Sequence, residues 1–140
     1  MSWRRLLVLT SVLALVGCSA PEILIEDARV RTPVPGTDKT VGYFSLTNRT
    51  TETLTLVGAH AEAVRAIELH TTKADSQGFT RMRRLSEVSV ASNETVVFTQ
   101  GGHHLMLFGV DELGEDLQVS LQFKERDSLS ISFKTIGLLD

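Results

Sequence analysis

The stretch Val41-Gly42-Tyr43-Phe44-Ser45-Leu46-Thr47, followed by Asn48-Arg49-Thr50-Thr51 and then Leu54-Thr55-Leu56-Val57, decides the fold class. Val41, Tyr43, Ser45 and Thr47 alternate with Gly42, Phe44 and Leu46. A side-chain period of two belongs to an extended strand with one face turned to an apolar interior. The polar tetrapeptide has turn composition, and apolar spacing resumes soon after it.

The same pattern extends in both directions. Ile23 to Val30 reads as a first strand, stopped by Pro33-Val34-Pro35-Gly36. Further candidates are Ala66 to Thr72, Phe79 to Leu85, Thr95 to Thr99, His104 to Gly109, Leu117 to Glu125 and Ser128 to Ile136. Asp75-Ser76-Gln77-Gly78 and Gly101-Gly102 punctuate them. No stretch keeps helical spacing over three turns; Glu62 to Ala66 offers at most a weak turn. Eight or nine short strands at this spacing predict one all-β domain, an antiparallel β-sandwich. A chain of 140 residues with 42% hydrophobic and 22% charged residues can bury a real core, which excludes a disordered or collagen-like protein.

The N-terminus reads as an address. Arg4 and Arg5 precede an apolar run from Leu6 to Val16, and Gly17-Cys18 ends it. A stable membrane-crossing helix needs about 20 apolar residues. This run is shorter, and its order is that of a bacterial secretion signal. Leu15-Val16-Gly17-Cys18 resembles a lipobox, and Cys18 is the only cysteine of the chain. A lone thiol in an oxidising compartment is a liability, whereas a thioether-linked lipid is inert. The expected organisation is a lipoprotein signal peptide over 1–17, a lipidated Cys18 with a short tether over 18–22, and one domain over 23–140. Several acyl chains would hold it on a membrane of the bacterial envelope, facing the periplasm.

Composition excludes several functions. The formal charge is −3, mildly acidic, so nothing recommends nucleic acid as a partner, since binding there rests on an excess of clustered Lys and Arg. One cysteine closes no intramolecular disulfide and builds no thiolate cage. The chain has no Gly-x-Ser-x-Gly elbow, no phosphate-cradling glycine loop and no visible carboxylate pair, so it does not read as an enzyme. The sequons at Asn48 and Asn93 carry little weight in a bacterial lipoprotein.

His70, Met82, His104 and Met106 are the informative group. A methionine is ordinarily core filler. In Thr80-Arg81-Met82-Arg83-Arg84, however, Met82 shares its strand face with Thr80 and Arg84, a polar set. In Ile67-Glu68-Leu69-His70, alternation turns Ile67 and Leu69 inward and Glu68 and His70 outward. His104 and Met106 fall on one face about 7 Å apart, close enough for both to reach one ion. Two thioethers and two imidazoles, without thiolate or carboxylate, form a soft and neutral donor set. Such a set favours Cu(I) and binds Zn²⁺, Mg²⁺ or Ca²⁺ poorly.

This spacing resembles the His-x11-Met-x21-His-x-Met signature of the PCuAC-type periplasmic copper chaperones. The flanking residues Asp27-Ala28-Arg29-Val30-Arg31, Gly42-Tyr43-Phe44-Ser45-Leu46-Thr47-Asn48, Glu68-Leu69-His70, Met82-Arg83 and Gly101-Gly102-His103-His104-Leu105-Met106-Leu107 are similar too. The resemblance spans about Ile23 to Ile136. It implies a cupredoxin-like Greek-key sandwich with ligands on loops and strand ends at one edge. It also implies one Cu(I) held by His70, Met82, His104 and Met106. The implied acceptor is an apo cuproprotein, the CuA subunit of cytochrome c oxidase or the Sco-type chaperone that matures it. Thr71 stands where some members carry Met. The ending Gly137-Leu138-Leu139-Asp140 has no His/Met-rich tail, so no second copper site is expected. His103 should point to the opposite face, and His60 to solvent. Copper sequestration without a specific acceptor, or a docking lipoprotein without metal, are the alternative functions.

Overall fold

A computed structural model describes residues 19–138. The leader and Cys18 therefore lie outside the described residues. Among these the chain forms ten strands: β1 (Ile23–Arg31), β2 (Lys39–Asn48), β3 (Leu54–His60), β4 (Ala66–Ala74), β5 (Thr80–Arg84), β6 (Val88–Val90), β7 (Thr95–Phe98), β8 (His103–Phe108), β9 (Asp116–Phe123) and β10 (Leu129–Ile136). No described residue is helical, as the sequence predicts. β6 is a strand that the sequence pattern does not disclose, because three residues show no periodicity.

The strands follow the order β5-β4-β8-β7-β2-β1-β10-β9-β3-β6, with β8 also on β2 and β3 on β4. The last contact closes the sheet on itself through one residue pair, Ala59 with Ile67. Pairings are antiparallel except β1 with β10 and a single β7–β8 contact. The all-β, cupredoxin-like class expected from the sequence is therefore found, as a sheet rolled into a flattened barrel.

Alternation fills the interior. Leu117, Val119, Leu121 and Phe123 of β9 are all buried, while their neighbours face outward. Phe44 stacks on Phe98 with centroids 4.3 Å apart and meets Phe133 edge-on at 5.6 Å. A bulge shifts the β1 register between Glu26 and Arg29, with Asp27 at φ 52°. It explains how both Ile23 and Val30 reach the core from one strand despite opposite parity. Beyond the bulge, the guanidinium carbons of Arg29 and Arg31 lie 5.7 and 5.8 Å from the centre of the Tyr43 ring.

Asn48 ends β2 at 0% exposure. Its amide nitrogen donates to the carbonyls of Glu52 and Val90, at 2.7 and 2.9 Å. Its oxygen accepts from the backbone N–H and hydroxyl of Thr50 at 2.9 and 2.7 Å. The residue thus bolts the β2–β3 turn to β6. Asn48→Ala would strand those groups, and we expect a loss of about 3 kcal/mol, read as a lower urea midpoint at unchanged slope.

Candidate metal centre

β8 is the central strand of the site. It lies between β4 and β2, and its core face carries Leu105 and Leu107, both buried. The intervening residues His104 and Met106 consequently share the outer face. Across the β4–β8 ladder His70 stands directly opposite His104, and Glu68 opposite Met106. On the other edge of β4, His70 faces Arg84 and Thr72 faces Met82.

His70 is therefore the hub of the four sequence-predicted residues. His104 is its direct cross-strand partner, with ring centroids 5.8 Å apart. Met106 and Met82 occupy its two diagonals, where cross-strand neighbours lie about 7–8 Å away and long side chains still meet. All four belong to one face of three adjacent strands, although they are scattered along the chain. All four stand on strands, with His104 at the second residue of β8, and none lies on a loop. The two methionines flank His70 from opposite directions along the strands.

Their environments differ. His104 is 4% exposed, buried although it lies on the outer face, whereas Met82 is 58% exposed on a strand whose five residues are all exposed. His70 and Met106 are half-buried.

Each imidazole of the facing pair has one nitrogen engaged and one idle. His70 Nε2 donates to Glu68 Oε2 at 2.8 Å, and His104 Nδ1 donates to the Gly102 carbonyl at 3.1 Å. His70 Nδ1 and His104 Nε2 are buried and have no hydrogen-bond partner. Glu68 also pairs with Arg84, Oε1 to Nη1, at 3.3 Å. Its bond to His70 lowers the carboxyl pKa against the opposing effect of desolvation, and the Arg84 charge lowers it further. Burial is the main cause pushing His104 below its ordinary pKa; the Gly102 bond opposes it, and the nearby His70 and His103 reinforce it.

Glu68 and the Gly102 carbonyl were not singled out by sequence. The spacing of Glu68, two before His70, was the available signal; a backbone carbonyl leaves none. His103 turns to the opposite face, its ring 5.7 Å from that of Phe98, and its Nδ1 is also unpartnered. His60 is exposed. Among the described residues no group of three or more His, Cys, Asp and Glu is placed to hold a metal ion.

A family model described as "Putative lipoprotein LpqE-like" matches residues 23–135. A "Putative lipoprotein" of Leifsonia xyli subsp. xyli is 26% identical over 112 residues, covering 78% of this chain and 66% of its own length. The chain thus spans just under two thirds of that curated relative. The structure described as the copper-bound PCuAC domain from PmoF2 superposes with a TM-score of 0.70 at 18% identity, covering 85% of this chain and 96% of that one. The Cu(I) form of DR1885 from Deinococcus radiodurans gives a TM-score of 0.64 at 22% identity, over 84% and 80%. These likenesses establish the fold.

The neutral, buried His104 has a consequence for the metal-free domain. The unfolded chain takes up a proton on this imidazole near its ordinary 6.5, the folded chain only at lower pH. Stability is complete above that value and drains away as the pH falls through the folded one. The Glu68 contribution follows the same sign but lies below 4.5. Thermal midpoints should therefore fall between about pH 6.5 and 4.5, and His104→Leu should flatten the decline.

Proposed function

The chain belongs to the LpqE-like family, and from that premise we propose that it is a lipid-anchored carrier of Cu(I) in the bacterial envelope. His70, Met82, His104 and Met106 would hold one ion and release it to an apo cuproprotein. The observation that carries this reading is the facing pair His70 and His104, each with one ring nitrogen bonded and the other buried and idle. A buried polar atom without a partner costs about 1–3 kcal/mol. Two such atoms on directly opposed residues are what a shared metal ion would satisfy.

The donor chemistry points to copper in its lower oxidation state. Both remaining ligands are thioethers, soft and uncharged, which suit Cu(I) and leave hard or borderline ions poorly held. Solved domains of the same fold, the PmoF2 domain and DR1885, are described in copper-bound and Cu(I) forms. Exposure of Met82 supports transfer, because ligand exchange with a partner needs at least one replaceable donor at the surface. The protein carries an ion and catalyses no bond change. The acceptor would be the CuA subunit of cytochrome c oxidase or a Sco-type chaperone. Loss of oxidase activity in a deletion strain at low copper, restored by added copper, would separate delivery from sequestration.

Titration with Cu(I) against a competing chelator should show one equivalent bound. Met82→Ala with Met106→Ala should weaken it by about 100-fold, or ~2.8 kcal/mol. Unchanged binding in that double variant would defeat the ligand set. Anchoring through Cys18 predicts palmitate labelling that disappears in Cys18→Ala and release of the protein from membranes; labelling that persists would place the lipid elsewhere.

A further inference from the structure

A neutral imidazole carries its single ring proton on either nitrogen, and whichever nitrogen is bare is the one a metal can use. In the facing pair the two rings are set oppositely. The Gly102 carbonyl can only accept, so it places the His104 proton on Nδ1 and bares Nε2. The Glu68 carboxylate accepts from His70 Nε2 at 2.8 Å, which bares Nδ1. Both bare atoms are the buried, unpartnered ones.

Glu68 is well placed for this task. It shares the outer face with His70, two residues along β4, and stands directly opposite Met106. Its second oxygen is occupied by Arg84, which stands directly opposite His70 on β5. Both carboxylate oxygens are therefore committed, one to the imidazole and one to the guanidinium. Arg84 is largely exposed, so its pairing orients the carboxylate more than it stabilises the fold.

Resting on the copper reading above, we infer that Glu68 is a positioning residue that selects the metal-binding nitrogen of His70, so that the ion is held by His70 Nδ1 and His104 Nε2. Glu68 itself stays outside the ion's coordination shell. An outer carboxylate or carbonyl bonded to a ligating histidine fixes ring orientation and raises its basicity, and its removal costs about 10–100-fold in affinity. The asymmetry is specific to this chain's geometry: a carboxylate on one ring, a backbone carbonyl on the other.

Long-range ¹H–¹⁵N NMR of the full domain reads both tautomers directly, first metal-free and then with Cu(I), which is diamagnetic. The expected result is a proton on Nε2 of His70 and on Nδ1 of His104 in both states. Glu68→Ala should scramble the His70 tautomer and weaken Cu(I) binding by about 10–100-fold, while leaving His104 as it was. Glu68→Gln keeps an oxygen that accepts from Nε2 and should restore most of both. A His70 proton found on Nδ1 in the metal-free wild type overturns the inference, and this needs no variant to fold. Full-strength Cu(I) binding in a Glu68→Ala protein with a scrambled tautomer overturns it equally. Failure of the wild type to bind Cu(I) at all would instead overturn the carrier reading.

Discussion

The pairing of β4 with β8 joins the core to the candidate site. Leu69 faces Leu105 across this ladder, and the next pair along is His70 with His104. Side chains alternate, so the hydrogen bonds that send two leucines inward also send two imidazoles outward. A slip of one residue would exchange the pairs, exposing the leucines and driving two polar rings into the interior. β8 cannot slip alone, because its other edge is bonded to β2 from Leu105 to Phe108. β2 is in turn fixed by the Phe44–Phe98–Phe133 cluster. The geometry of the outer face is inherited from the packing of the inner one.

Much of this was legible in the sequence, and what was not has a physical cause. Period-two spacing locates every strand long enough to show it, and misses β6, Val88–Val90, which is too short. Bulges are equally silent, since one extra residue in β1 reverses parity between Ile23 and Val30 without any local mark. The outward face of Met82 could be read from its arginine and threonine neighbours. Burial of His104 could not: alternation gives a face, whereas enclosure depends on chain segments far away in sequence. That the four residues share one face of β5, β4 and β8 follows from the register between those strands, and register is a property of pairs that no single strand contains.

The site has a fixed part and a looser one. His104 and Met106 stand on a strand bonded on both edges, and His70 on one bonded to β8 and β5. Met82 lies on β5, which pairs only with β4 and exposes all five of its residues. Segments with few buried contacts open at the least cost in free energy. A metal held by all four residues would therefore loosen first at Met82, leaving three donors on the better-anchored strands. Such a gradient would give an exchange partner a place to begin and would keep the ion from escaping before a new ligand arrives.

In the proposed site, charge would complete the selectivity that softness begins. A ligating imidazole is neutral and a thioether is uncharged, so none of the four proposed donors would offset the charge of an ion. Glu68 is the nearest candidate to do so, but its two oxygens are taken by His70 and Arg84, and the guanidinium balances its charge. Burial keeps His104 from adding a competing proton near neutral pH. The penalty for holding an uncompensated charge away from water grows as the square of that charge. A divalent ion would thus meet about four times the penalty of a monovalent one, and from donors it binds weakly. On the proposed ligand set, the ion pair beside the site and the thioethers within it would favour the same monovalent, soft ion by independent means.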